Sequence, residues 1–433
     1  MTPTTRRDLA RDANARLRAG DVSAALHHLV ALVRSAPHDL DARLRIGDGL
    51  LAASQLRPAV EVYAFVAREA SLAGHPLKAC VALKVLSAID PAVNQVFETL
   101  ADRYAQGSTQ IGRSVRVAPP SPDATVPAAA WLPADTAGAT LFDAAHRVAT
   151  SPEGLPQHPA VVPPMPLMSE LPRDAFARMI QAVDLVRVPA GAVLLREGEP
   201  AESFFMLARG ALAVTRDEGR TVLARPGEGV VIGEMALLSS APRMATVTAT
   251  EDSDVLLFGR DAIGAARSDV GALAAALERF VQHRVLSNLL ATHPIFKPFD
   301  DEQRLALSTH FKTMSAPAGT ALIRQGDEGR GLSVILVGEV SVTARDDEGE
   351  NHELARLGGA EVFGEIALLR GTPTTATVTA TRDTTLLFLS RELFVRLVSG
   401  VPALRQYFET LAEHRFLDTS LALSGGEDVD VLL

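Results

Sequence analysis

Cysteine is almost absent: Cys80 is the only one in 433 residues. This excludes an intramolecular disulfide framework and any multi-cysteine zinc or iron–sulfur site, and a reducing compartment fits it best. Long apolar runs are missing as well. No stretch reaches the length a membrane span needs, and the opening "MTPTTRRDLARDANARLRAG" is charged throughout rather than apolar like a signal peptide. The expectation is a soluble, cytoplasmic protein with no membrane partner. Positive charge is also in deficit, with 42 Lys and Arg against 52 Asp and Glu and a net charge of −10. A broad electropositive footprint, and with it a nucleic-acid partner, is therefore not expected. Catalytic signatures fail in turn. No H-E-x-x-H, nucleophile elbow or Ser-His-Asp set occurs, and "RPGEGVVIG" (Arg225 to Gly233) spaces its glycines as a turn between strands rather than as a dinucleotide fingerprint. These absences lead to the expectation of a non-enzymatic protein with neither catalytic residues nor a metal.

What the sequence does contain points to a multidomain α+β chain, with about three domains as the prior for this length. Residues 1–107 read as an all-α domain, because Ala and Leu recur at spacings of three and four between breaks at Gly20, Pro37, Gly74 and Pro91. Gly20, Ala25, Leu29 and Pro37 recur as Gly74, Ala79, Leu83 and Pro91, and Ser54, Ala59 and Tyr63 repeat part of the set. That resembles a tetratricopeptide repeat (TPR), irregular because one proline is missing and one unit starts early. A generic bundle of helical hairpins would carry much the same residues. Either way the region has no ligand signature, and a protein-binding surface is the default for a solenoid.

Residues 108–165 are dense in Pro and Ala and read as a semi-stiff spacer, since proline disfavours helix and inner strand. Within it "TLFDAAHRVAT" (Thr140 to Thr150) fits a helical turn or docking motif, and Trp131 fits an apolar pin onto a neighbouring domain. If the spacer makes few contacts, residues 1–107 and 166–423 should each fold alone.

The rest is an internal duplication, residues 166–291 and 292–423, followed by an acidic tail at 424–433. Gly191, Gly198 and Gly210 answer Gly319, Gly326 and Gly338 at a constant offset of 128, which grows to 131 after the third strand, giving the second copy a longer hairpin. Short alternating strands broken by Gly, Asp and Glu predict a jelly-roll-like β-roll in each copy. Flanking helices are expected at "PRDAFARMIQAV", "DDEQRLALSTHF" and "VGALAAALERFVQHRVLSNLLATH". Most telling is the pair "GEMALLSSAPRMATV" (Gly233 to Val247) and "GEIALLRGTPTTATV" (Gly364 to Val378). Both keep nine positions from the glutamate, but Arg243 in the first is Thr374 in the second.

These stretches resemble the phosphate-binding cassette of cyclic nucleotide-binding domains, the family of kinase regulatory subunits, bacterial transcription activators and gated channels. The resemblance implies a cyclic nucleotide, cAMP or cGMP, as ligand rather than a cofactor. Gly233 would let the backbone come close. Met235 and Ala236 would offer amides at a helix start, Glu234 would accept from the ribose 2′-OH, and Arg243 would grip the phosphate. Met244 stands where cGMP-preferring members often place a hydroxyl, which tilts the reading towards cAMP. An arginine that serves a ligand is expected to matter little for folding. In the second copy Gly364, Glu365, Ile366 and Ala367 keep the frame, whereas Thr374, followed by Thr375, offers no cation. That site is expected to be weak or inactive unless Arg370 or Arg345 reaches in.

No helix-turn-helix follows the second roll, and the tail carries Glu427, Asp428 and Asp430. Two function classes stay open on these residues: a cyclic nucleotide sensor or adaptor with a protein partner on the TPR-like domain, and a ligand-free scaffold whose rolls are interaction modules. Between the rolls, the helical stretch Val270 to Leu290 is expected either to swing on binding or to form a fixed interface.

Overall fold

The computed structural model describes the chain apart from residues 1–3, 91–94, 114, 201–202, 217–218, 234–242, 244, 260–293, 297, 301–302, 304–306, 308–309, 347 and 424–433. The N-terminal region is helical, as its periodicity predicts: α1 (Arg6–Arg18), α2 (Val22–Ser35), α3 (Leu40–Ala52), α4 (Leu56–Leu72), α5 (Pro76–Ile89) and α6 (Gln95–Tyr104). Side chains of Thr5, Asp21 and Asp39 cap α1, α2 and α3 by accepting amide hydrogens, and Pro76 opens α5, where no amide is needed. Consecutive helices from α1 to α5 pack side by side. The repeated small residues Ala25, Ala59 and Ala79 are fully buried, with Leu29, Tyr63 and Leu83 beside them. Turns at Gly20, Ser54 and Gly74 have positive φ, which costs Ser54 more than the glycines.

The Pro/Ala-rich stretch is not a spacer. It runs against the helices and exchanges several hydrogen bonds with them. Arg6 and Arg7 amides donate to the carbonyls of Ala124 and Pro122, Val117 donates to Ala73 at 3.0 Å, and the His75 ring bonds the Val117 carbonyl at 2.7 Å. Proline removes one donor per residue but leaves the carbonyls, so an extended chain still adheres. Its middle forms α7 (Gly138–Thr150), which lays Leu141, Ala145 and Ala149 onto α2, α3 and α4. The buried guanidinium of Arg43 donates to the carbonyls of Val148, Ala149 and Ser151 at 3.1, 2.8 and 2.9 Å, closing the end of α7. Trp131 packs edge-on against His28 at 5.3 Å, the pin its sequence suggested.

After α8 (Arg173–Ala182) the first roll comprises β1 (Asp184–Val188), β2 (Val193–Leu195), β3 (Phe204–Arg209), β4 (Leu212–Arg216), β5 (Thr221–Ala224), β6 (Val231–Ile232), β7 (Thr246–Ala249) and β8 (Ser253–Phe258). They form two antiparallel sheets of order β1-β8-β3-β6 and β2-β7-β4-β5, closing on a core that includes Leu207, Leu212, Val247 and Val255. The second roll repeats this with β9 (Lys312–Ala316), β10 (Ala321–Ile323), β11 (Gly331–Val337), β12 (Val340–Arg345), β13 (Asn351–Leu357), β14 (Val362–Phe363), β15 (Thr377–Ala380) and β16 (Thr384–Ser390). Its sheets, β9-β16-β11-β14 and β10-β15-β12-β13, have the same order. Between β14 and β15 lies α9 (Glu365–Arg370), and α10 (Arg391–Gly400) and α11 (Pro402–Leu423) close the roll. The helical stretches read between and before the rolls, at 270–290 and most of 300–311, lie outside the described residues.

The helices, the Pro/Ala-rich stretch and the first roll form one compact unit, and the second roll with its closing helices forms another. Inside the first unit the helices meet the roll through buried charge. Asp254 on β8, wholly buried, accepts from Arg209 on β3 at 2.9 Å and from Arg45 on α3 at 3.2 Å. Asp48 accepts from Arg45 at 2.6 Å, Arg187 on β1 at 2.8 Å and the Tyr63 hydroxyl at 2.5 Å. Lys78 on α5 bridges Asp41 at 2.7 Å and Glu228 at 3.1 Å; burial opposes its charge, but the two carboxylates outweigh burial and raise its pKa. The expectation that few contacts cross the gap therefore fails for residues 1–107 and the first roll.

Candidate functional site

In the first roll β6 ends at Ile232, directly before Gly233, and the return strand β7 begins at Thr246, three residues after Arg243. The Arg243 backbone is pinned to the preceding turn, its amide donating to Glu199 O at 2.8 Å and its carbonyl accepting from Gly198 N at 2.8 Å. Gly233 and Arg243 lie together. Gly233 has φ of +86°, and a Cβ there would stand 2.6 Å from Arg243 Nη1. Arg243 is buried, and its guanidinium donates to Gly233 O at 2.8 Å and Ser203 O at 2.7 Å. These bonds belong to the protein, so the expectation that Arg243 matters little for folding is corrected: its loss leaves two backbone carbonyls short of a donor. Glu234, Met235, Ala236 and Met244 lie outside the described residues, as does the stretch Val270 to Leu290.

The second roll reproduces the frame with different occupants. Thr374 N donates to Asp327 O at 2.9 Å and Thr374 O accepts from Gly326 N at 2.8 Å, the same register as Arg243. Its hydroxyl donates to Arg324 O at 2.6 Å, so the side chain is satisfied inside the roll. Gly364, φ +92°, precedes α9, and a Cβ there would meet Gly331 O at 2.6 Å. Gly331 occupies the position of Ser203 in the first roll, 128 residues on. Glu365 is 1% exposed, Ala367 is buried, and Ile366 and Thr375 are half-buried. All of these, with Gly364 and Thr374, line a cavity of about 110 Å³ with otherwise mainly apolar walls.

One further charged group lines that cavity. Arg415 on α11 donates from Nη1 to Glu365 Oε1 at 2.8 Å and to Val362 O at 2.6 Å. Neither arginine named from the sequence reaches in: Arg370 stacks on Phe416 with its guanidinium 3.8 Å from the ring centroid, and Arg345 donates to Asn351 at 3.4 Å. No sequence signal marks Arg415, which sits fifty positions from its partner in an unremarkable closing helix.

Elsewhere, burial pushes the Cys80 thiol up to about 12, which keeps it protonated and inert. Among the described residues no cluster of His, Cys, Asp and Glu could hold a metal ion, and no helix is long and apolar enough to cross a membrane.

Residues 185–268 and 313–400 each match the model of the cyclic nucleotide-binding domain family. The chain is 28% identical over 243 residues to a cAMP-dependent protein kinase regulatory subunit of Blastocladiella emersonii, covering 55% of this chain and 58% of that one. It is 29% identical over 241 residues to the cGMP-dependent protein kinase egl-4 of Caenorhabditis briggsae, covering 55% of this chain and 31% of that one. The chain thus spans about half or less of these relatives. Among solved structures it is similar to the regulatory domain of Toxoplasma gondii PKA with cAMP, at 26% identity and a TM-score of 0.28 over 57% of this chain and 92% of that one. Two regions in tandem that match the cyclic nucleotide-binding domain model, and are similar to kinase regulatory subunits, therefore follow an N-terminal helical region that the family model does not cover.

Proposed function

We propose that this chain is a non-enzymatic cyclic nucleotide sensor or adaptor. Its first roll takes cAMP, and its helical region, read as a TPR-like solenoid, engages a protein partner in the cytoplasm. The observation that carries the reading is the meeting of Gly233 and Arg243. A glycine with positive φ lets a buried guanidinium reach the mouth of the cassette, where it would face the ligand's single negative charge. Glu234 would take the ribose hydroxyl, Met235 and Ala236 would present amides, and Met244 in place of a hydroxyl favours adenine. The second roll lacks the cation at Thr374. A hydrogen bond to a charged group contributes about 1.5–3 kcal/mol, so its affinity should be roughly ten- to over a hundredfold lower.

The scaffold reading has one observation in its favour: Arg243 already bonds two carbonyls, as it would in a roll that binds nothing. Calorimetric titration with cAMP and with cGMP separates the two. One mole of cAMP per mole of chain, with a rise in melting temperature that grows with ligand concentration, is the expected result. No heat and no thermal shift with either nucleotide leaves the scaffold.

A further inference from the structure

We propose that the crevice between the helices and the first roll is a further ligand site, which takes a small phosphate ester carrying free hydroxyl groups. The crevice lies within the first compact unit and encloses about 490 Å³, room for a molecule of sugar-phosphate or nucleotide size. Six arginines line it: Arg6, Arg7, Arg11 and Arg18 from α1, Arg45 from α3 and Arg209 from β3. None of its lining residues belongs to either cassette, so the site stands whether or not the rolls bind a nucleotide.

Carboxylates share the lining, but most are neutralised from within the chain. Asp39 is paired with Arg6, Asp41 and Glu228 with Lys78, and Asp252 with Arg18, which leaves Glu251 exposed to solvent. The donors are less fully used. The Arg11 side chain is exposed and has no hydrogen-bond or ion-pair partner among the described residues. Arg7, one turn before it on the same face of α1, is held by an exposed pair with Asp123 at 3.1 Å, which a ligand can displace at little cost. Deeper in, Arg45 is 8% exposed and gives Nη1 to Asp48 and Nη2 to Asp254, while its Nε–H is buried with no acceptor. A buried donor left unpaired is costly, and a ligand oxygen would supply the missing acceptor. Guanidinium groups that converge from α1 and α3 suit a phosphate, with oxygens on several sides, better than a planar carboxylate. The hydroxyl follows from the opposite need: Asp41 Oδ1 is also buried without a partner, and an anion cannot donate to it.

The test is calorimetric titration of the full chain with ribose 5-phosphate and with inorganic phosphate at constant ionic strength. Ribose 5-phosphate should bind, and more tightly than inorganic phosphate, since only the ester brings hydroxyls to Asp41. Arg11→Glu should weaken that binding by at least about tenfold. Arg57→Glu changes the net charge equally at a 91% exposed position outside the crevice and should leave affinity within about twofold. Arg11 is exposed, so its variant should keep the melting temperature of the unaltered chain in the absence of ligand. Protection gives the location directly: ribose 5-phosphate should shield Arg11 from modification by phenylglyoxal, read by peptide mass spectrometry. Absence of heat with ribose 5-phosphate overturns the proposal. Equal binding of the two probes overturns the hydroxyl-bearing ester. Equal weakening by Arg57→Glu, or ligand binding that leaves Arg11 fully reactive, shows diffuse or distant attraction and overturns the site.

Discussion

The two rolls share strand order and the backbone bonds that hold Arg243 and Thr374, yet differ in where they place charge. The first carries Arg209 opposite Asp254 on neighbouring strands; the second has Val337 opposite Thr385 at the same point in its ladder. The first keeps Arg243 buried over Gly233, and the second puts Thr374 there and satisfies it on Arg324 O. A β-roll is held by its apolar core, which both copies retain, so polar positions were free to diverge towards different tasks. One copy directed its charge to the helices and the cassette. The other directed an arginine from its last helix into its own pocket.

The sharpest way to break this contrast is at the ladder pair. Asp254→Ala leaves Arg45 and Arg209 buried beside a missing carboxylate and should cost about 3–5 kcal/mol in chemical denaturation, whereas Thr385→Ala should cost under about 1 kcal/mol. Equal costs would mean that the charged lattice does not hold the first unit together. Next comes Arg243→Ala, expected to abolish cAMP binding by calorimetry. Because Gly233 O and Ser203 O lose their donor, it should also lower stability by about 1–3 kcal/mol; full stability would restore the view of an arginine that serves only the ligand.

The two cassette glycines give a smaller, paired test. Gly364→Ala drives a methyl against the Gly331 carbonyl, which is backbone and cannot move aside, while Gly233→Ala meets the tip of Arg243, which can. Both pay for positive φ, about 1–2 kcal/mol, and the Gly364 variant should melt several degrees below the Gly233 variant. Reversed order would show that the arginine tip is the more rigid neighbour. Smallest is Thr374→Val, which removes one hydroxyl donor to Arg324 O and should cost about 1 kcal/mol. No loss would mean that this hydroxyl is not what satisfies the roll.

Much of this was legible in the residues. The constant offset of 128 and its growth to 131 gave the duplication and the longer second hairpin, because strands of fixed period must keep register for the core to close. The contact of Gly233 with Arg243 was not legible: the nine-residue spacing runs from Glu234 to Arg243, whereas the bond joins the Arg243 guanidinium to the Gly233 carbonyl. The replacement of Arg209 and Asp254 by Val337 and Thr385 was visible too, but not its meaning, since Arg45 lies 209 positions from Asp254. Composition misled at residues 108–165: proline content reports what the backbone cannot do, and says nothing about which carbonyls the neighbours will take. Arg415 was invisible for the same reason as Arg45, its partner being chosen by the path of a helix rather than by any local pattern.

Arg43 carries a consequence for the order in which the first unit is made. Its three carbonyl partners on and just after α7 lie 105–108 positions away along the chain. At synthesis rates of about 5–20 residues per second, Arg43 leaves the ribosome roughly 5–20 s before the carbonyls that cover it. For that interval Arg43 and the face of α2, α3 and α4 stand open. Closing so long a loop is slow compared with forming neighbouring helix pairs, so α7 arrives as the last piece on a stack already built. The nascent chain thus has a period in which another molecule could occupy the seat that its own later sequence will claim.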